Sequence, residues 1–294
     1  MALIKMNFLS KYLGMQTNIT VCLPTFSFQG VMNQKPDFYV RGMKFQTLYL
    51  LHGGAGDDSD YVNFTNIVRY ADENRIAVVM PCDYNHFYTD DPKGPRYWKY
   101  VSEELIEVCQ TLFPLSDKPE DNFVAGLSMG GSGAMKIGLV DCERFAAVLC
   151  MSGTSINPDM VKEFPGPRAR LDQEDPDMMP RIHLDAIFGD LDQYKGSIHD
   201  MWQRARLNVE EGKKLPKFFL TVGDQDFARE HVEDAYQYLT SLGYDTYFEL
   251  VPGYAHEWSF WDMTLKKALD HWLPIRRNVI YPKFPARIDV KGKS

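Results

Sequence analysis

The fold this sequence predicts is α/β, with a mostly parallel central sheet and helices on both faces, and three observations lead to it. Strand-like apolar runs alternate with helical patterns along the chain, the order such a sheet requires. The 294 residues are 45% hydrophobic, enough to bury a large core. Gly126-Leu127-Ser128-Met129-Gly130 sets a serine between glycines where a strand should turn sharply into a helix.

Each element has its own warrant. Thr17–Pro24 reads as an early antiparallel strand, and Phe45–Leu51 as a stronger one ending at His52-Gly53-Gly54. A helical stretch near Tyr61–Asn74 precedes the strand Arg75–Met80, which stops at Pro81. Tyr97–Leu112 has helical spacing, with Val101, Leu105, Val108 and Leu112 on one face and Glu103, Glu104 and Glu107 off it. Asn122–Ala125 reads as the buried strand before the serine, and the small residues after it open a helix. Phe145–Met151, Leu215–Val222 and Thr246–Val251 are later strands, with a helix over Glu230–Leu242 and a last long helix over Trp258–Leu273. No repeat, low-complexity tract or linker divides residues 1–294, so one domain is expected. Residues 154–181 carry Pro158, Pro165, Pro167, Pro176 and Pro180 and read as an irregular lid or pocket wall. A tail over 274–294 is expected to wrap the surface.

Composition narrows the function. A net charge of −8 argues against a nucleic-acid partner, which a basic patch would have to serve. No run of about 18 apolar residues suggests a membrane span. The start lacks a charged segment followed by an apolar core and cleavage site, so the reading is cytoplasmic. Cys22, Cys82, Cys109, Cys142 and Cys150 are odd in number and widely spread, which fits buried reduced thiols rather than a disulfide framework or a metal site.

The chemistry starts from Ser128. In a G-x-S-x-G turn the glycines allow a tight bend that pushes the serine oxygen outward, and the following helix aims its free N–H groups at developing negative charge. A glycine-rich turn with an incidental serine is the bland alternative, so the partners must decide. A serine hydroxyl needs a base, and histidine suits the role. Among the seven histidines, His256 is best placed, in the loop after the last strand and at the sheet edge where Ser128 emerges. The orienting acid should come from Gly223-Asp224-Gln225-Asp226-Phe227, where Asp226 is favoured and Asp224 could instead cap the next helix. The order Ser, Asp, His is that of the α/β-hydrolases. Two backbone N–H donors for an oxyanion are expected from Met129 and from Gly54, with Gly53 as the near alternative and His52 fixing the loop.

Leu13–Thr17, Leu50–Gly53, Tyr88-Thr89-Asp90, Gly126–Ala134, Gly223–Phe227 and His256-Glu257-Trp258 together resemble the putative-esterase branch of the α/β-hydrolases. That branch includes tributyrin esterases, to which the likeness looks closest, feruloyl esterases, S-formylglutathione hydrolase and, more distantly, the mycolyltransferases. The resemblance implies that the aspartate before Phe227 is the triad acid and that the histidine of the H-x-W element is the base. Ser132 departs from it, standing where a bulkier residue is often seen. The expected activity is hydrolysis of short-chain acyl esters through an acyl-enzyme, without metal or organic cofactor. Feruloyl or acetyl-sugar esters and S-formylglutathione are the alternative substrates, and an acyltransferase or an inactive scaffold the alternative classes. Tyr88 and Trp258 are the candidate substrate-binding aromatics. A small-molecule ester is the expected partner, with no nucleic acid and no membrane, and a homo-oligomer stays open.

Overall fold

The computed structural model describes residues 1–27, 32, 38–91, 93–154, 157, 159 and 188–282. Its strands are β1 (Ala2–Leu9), β2 (Gln16–Leu23), β3 (Thr47–Leu51), β4 (Ala77–Pro81), β5 (Asn122–Leu127), β6 (Ala147–Met151), β7 (Lys217–Gly223) and β8 (Thr246–Val251). They form a single sheet in the order β1-β2-β4-β3-β5-β6-β7-β8. The β1–β2 and β2–β4 pairings are antiparallel, and all pairings from β4 to β8 are parallel. This is the α/β-hydrolase arrangement the sequence predicts.

The strand residues alternate between two cores because successive side chains leave a sheet on opposite faces. Leu51, Val124 and Val148 join one cluster with Leu105, Met135 and Leu139. Leu48, Leu50, Phe123 and Leu149 join the other with Ile67, Phe260 and Leu265. The covering helices are α1 (Asp60–Phe64), α2 (Ile67–Asn74), α3 (Leu105–Leu112), α4 (Met129–Val140), α5 (Met201–Glu210), α6 (Arg229–Ser241) and α7 (Trp258–Lys267).

The expected helices depart from regularity in three places. The Tyr61–Asn74 stretch is two helices, broken at Thr65-Asn66, where Thr65 takes an extended conformation and its Oγ1 accepts from the Ile67 N–H. Tyr97–Leu112 passes through a π-helical segment, Tyr100–Glu104, before α3. The wider turn rotates the apolar stripe. Glu104 therefore faces inward, accepting hydrogen bonds from Ser10 Oγ and the Lys11 N–H, while Leu112 is 61% exposed. The last helix likewise ends in a π-helical segment, Ala268–Trp272. Strand β1 and helix α5 were not expected from the sequence. Ile4, Met6 and Phe8 alternating with Lys5 and Asn7 carry the strand signal for β1. Apart from residues 154, 157 and 159, the 154–181 segment lies outside the described residues, as does the tail from residue 283 onward.

The register fixes one sheet edge as the place for chemistry. Leu51 of β3 pairs with Gly126, Leu127 with Met151, Met151 with Thr221, and Gly223 with Val251. The loops after β3, β5, β6, β7 and β8 therefore leave the sheet side by side, at the carboxyl ends where ligands bind in such folds.

Candidate active site

Ser128 joins β5 to α4 with φ 52° and ψ −121°. A non-glycine residue there costs about 1–3 kcal/mol and persists only when its surroundings enforce it. The Ser128 N–H donates to Met151 O at 2.9 Å, and the Ser132 N–H to Ser128 O at 3.1 Å. The neighbouring glycines make the turn possible. A Cβ on Gly126 would lie 2.1 Å from Gly130 O, and one on Gly130 2.2 Å from Leu51 O.

Ser128 is reached by the two side chains that its chemistry needs. His256 Nε2 lies 2.9 Å from Ser128 Oγ, and His256 Nδ1 lies 2.9 and 3.0 Å from the two oxygens of Asp226. Access falls along this line. Ser128 is half-buried, the His256 side chain is 19% exposed and that of Asp226 is 0% exposed. Burial raises the pKa of the Asp226 carboxyl, but hydrogen bonding and charge from His256, with further hydrogen bonds from Ser152 and the Ala228 N–H, outweigh it and hold the group below its usual value. Such an arrangement can take a proton from the serine hydroxyl and stabilise the imidazolium that results. Phe227 packs against the imidazole at 4.3 Å between ring centroids, and Trp261 meets it edge to face at 4.9 Å.

Asp224 does not cap the next helix. Its Oδ1 accepts from the Gly253 N–H at 2.8 Å and so ties the β7 loop to the loop that carries His256. Asp226 itself accepts the Ala228 N–H at 2.8 Å, close to the start of α6.

The loop after β3 is organised by His52, which is 1% exposed. Its Nε2 accepts the Asp83 N–H at 2.8 Å, which leaves Nδ1 protonated to donate to Gly53 O at 2.7 Å. Burial lowers the pKa of this imidazole, in keeping with the neutral form. The Gly56 N–H also donates to Gly53 O, at 3.3 Å. The peptide is trans, so fixing Gly53 O turns the Gly54 N–H the opposite way. Gly53 lies against the nucleophile turn, where a Cβ would sit 3.5 Å from Ser128 Cβ, whereas Gly54 is exposed. Among the described residues, neither the Gly54 nor the Met129 N–H donates to a backbone or side-chain acceptor.

Tyr88 is not where a substrate contact should be. It is 0% exposed, its hydroxyl donates to His52 O at 2.8 Å, and its ring fills the space left by Gly133, whose added Cβ would meet it at 2.4 Å. A ring closed in by the nucleophile helix reaches no ligand, so Tyr88 supports the His52 loop instead. Trp258 stays half-exposed, stacked on Phe64 at 4.9 Å and edge-on to Trp261 at 5.2 Å. Ser132 Oγ is engaged with Thr154, accepting its N–H at 2.8 Å.

Sequence reasoning missed three supporting residues. Ser152 directly follows β6 with φ 51°, Asn85 Oδ1 accepts the Ala55 N–H at 2.7 Å, and Lys136 of α4 is buried. Lys136 Nζ donates to Thr89 Oγ1 and approaches His199 Nδ1 at 3.0 Å, while burial pushes its pKa down to about 7. For Ser152 the available signal was its position directly after a predicted strand, at the edge that carries the nucleophile. A buried lysine between apolar helix residues gave none.

Among the described residues, no group of three or more His, Cys, Asp or Glu could hold a metal ion, and no helix is long and apolar enough to cross a membrane. Residues 29–271 match a family described as "Putative esterase". An acetyl esterase of Caldicellulosiruptor saccharolyticus is 30% identical over 281 residues, 93% of this chain and 98% of that protein. Two solved structures from Staphylococcus aureus are each 32% identical and cover 92% of this chain and 98% of their own. They are the fluorophosphonate-binding serine hydrolase FphF, with a TM-score of 0.78, and S-formylglutathione hydrolase (FrmB), with a TM-score of 0.75. The strained serine at the strand-to-helix turn is thus set in a chain related over nearly its whole length to named esterases and serine hydrolases. It belongs to the putative esterase family of the α/β-hydrolases and is a serine-type carboxylic ester hydrolase.

Proposed function

We propose that this esterase hydrolyses short-chain acyl esters, acetyl to butyryl, with Ser128, His256 and Asp226 as its triad. The hydrogen-bonded line from Ser128 through His256 to Asp226 carries the mechanism. The acetyl esterase related across 93% of this chain favours the small acyl group. Ser128 Oγ attacks the ester carbonyl while His256 Nε2 takes its proton. The oxyanion is held by the N–H groups of Met129 and Gly54, and the peptide orientation set by His52 supports Gly54 over Gly53. His256 then protonates the departing alcohol. A water, deprotonated by the same imidazole, hydrolyses the acyl-serine and restores the hydroxyl. The half-exposed ring of Trp258, one aromatic ring away from His256, is proposed to wall the cleft. The free, buried cysteines fit a reducing compartment such as the cytoplasm.

S-formylglutathione is the second reading, because the FrmB structure, 32% identical, bears that name. Kinetics on p-nitrophenyl acetate, butyrate and octanoate beside S-formylglutathione separate the two, with Ser128→Ala as control. The proposal expects acetate or butyrate to have the highest kcat/KM and the control to lose turnover by about 10⁶-fold. Preference for octanoate or the formyl thioester removes the substrate assignment, and turnover that survives in Ser128→Ala removes the nucleophile.

His52 gives a second expectation. Replacing it with phenylalanine removes the N–H that holds Gly53 O. The expected loss is about 10²-fold in kcat with little change in KM, the size associated with one oxyanion donor. Steady-state kinetics at matched folded fraction check this, and an unchanged kcat separates the imidazole from the oxyanion loop.

A further inference from the structure

Behind the acid end of the proposed triad lies a second pair of buried polar side chains, Ser152 and Trp261. Ser152 follows β6 directly, is 0% exposed and has φ 51°, with its N–H donating to Thr221 O at 2.9 Å. Its hydroxyl accepts the indole N–H of Trp261 at 3.1 Å and lies beside the Asp226 carboxylate, close enough to help hold that group ionised. Trp261 sits on α7 at 5% exposure, and its ring also meets the His256 imidazole edge to face. One tryptophan therefore touches the base directly and holds a serine that stands beside the acid.

We propose that Ser152 and Trp261 are positioning residues for the triad. Trp261 orients the Ser152 hydroxyl, and that hydroxyl fixes the Asp226 carboxylate so that it faces His256 Nδ1. The inference rests on the triad reading given above. Its physical basis is that a hydroxyl has a single proton to give. With the indole N–H occupying a lone pair of Ser152 Oγ, the hydroxyl proton is directed to the carboxylate instead of rotating among acceptors. Chains of this kind polarise one another in a dry interior. The backbone adds a second argument, since a buried non-glycine residue at positive φ is strained and such residues gather at active sites. Gly153 lies next in the chain, and a glycine at position 152 would relieve that strain. Serine at this position bears the strain and contributes a hydroxyl that glycine would lack.

The test compares wild type, Ser152→Ala, Ser152→Gly, Trp261→Phe and the Ser152→Ala/Trp261→Phe double variant on p-nitrophenyl acetate, with thermal unfolding recorded for each. Ser152→Ala is expected to lower kcat about 10-fold with KM within about two-fold. Ser152→Gly should be equally slow, with an unfolding midpoint no lower than that of Ser152→Ala, because glycine accepts the positive φ. Trp261→Phe should lower kcat in the wild-type background and have little further effect once Ser152 is alanine. An unchanged kcat in folded Ser152→Ala overturns the proposal, and so does a Trp261→Phe loss of the same size in both backgrounds, which would reduce Trp261 to packing. Ser128→Ala, run alongside, keeps the two readings apart. If it stays active the triad itself fails, whereas a dead Ser128→Ala beside a fully active Ser152→Ala rejects the positioning roles alone.

Discussion

Asp226→Asn is expected to lower kcat by about 10⁴-fold with a small change in KM, while Asp224→Asn leaves kcat within about two-fold. The two aspartates stand two residues apart, yet the structure gives them different neighbours. Asp226 faces His256 Nδ1 at 2.9 Å and holds Nδ1 protonated, so that Nε2 is free to accept the serine proton. An asparagine amide turned toward Nδ1 would donate instead of accept. The imidazole would then carry its proton on Nε2, pointing at Ser128, and the base would be lost without any change of shape. Asp224 accepts a backbone N–H from Gly253, a bond that an asparagine oxygen can also make. Kinetics on both variants decide the matter, and an equal loss in the two would remove Asp226 from its assigned role. Stability follows the same carboxylate. Its folded pKa lies below the usual 3.8, so its contribution is present above that value and is lost as pH falls through the folded pKa. Asp226→Asn should therefore flatten the acid side of the stability profile.

The three residues of the proposed triad can be picked out in the sequence because each lies within a few residues of the end of a strand whose apolar run is unambiguous. Ser128 follows β5, Asp226 lies three residues beyond β7, and His256 five beyond β8. Strand β8 begins and ends where its pattern predicts, and β3, β4 and β6 differ from expectation by about two residues at the start, the ordinary scatter of element ends. What the sequence hid has a common physical cause. A π-helical turn changes which residues share a face without changing composition, so Glu104 reads as surface and is buried. Tyr88 reads as a cleft aromatic, yet the absent side chain of Gly133 on the nucleophile helix makes room to bury its ring. Ser152 has no periodic signal, and its hydrogen-bond donor is Trp261, 109 residues away in the chain. Local periodicity reports strand ends well. It does not report which side chains from distant elements meet behind them.

Gly130→Ala is expected to destabilise the fold by about 3 kcal/mol or more, a fall of roughly 10 °C in Tm, and to abolish most activity. Its Cβ would lie 2.2 Å from Leu51 O and 2.5 Å from His52 O, both backbone atoms at the end of β3 that no rotamer change can move. Relief requires α4 and the β3 loop to separate. That loop carries Gly54, and the first turn of α4 carries Met129, so the same movement parts the two proposed oxyanion donors. Gly54→Ala is the contrasting case. A Cβ there meets only Asn85 Oδ1, at 3.8 Å, and the backbone is not in the left-handed region, so stability should change by about 0.5 kcal/mol or less. The N–H survives this substitution, and activity should fall far less than in Gly130→Ala. Thermal unfolding and kinetics on the pair distinguish two uses of glycine in one site. At Gly130 the missing side chain lets the helix touch the strand end. If Gly130→Ala unfolds like wild type, the close approach of α4 to β3 is not what holds the nucleophile turn. If Gly54→Ala loses as much activity as Gly130→Ala, the open face beside Gly54 is itself occupied in catalysis.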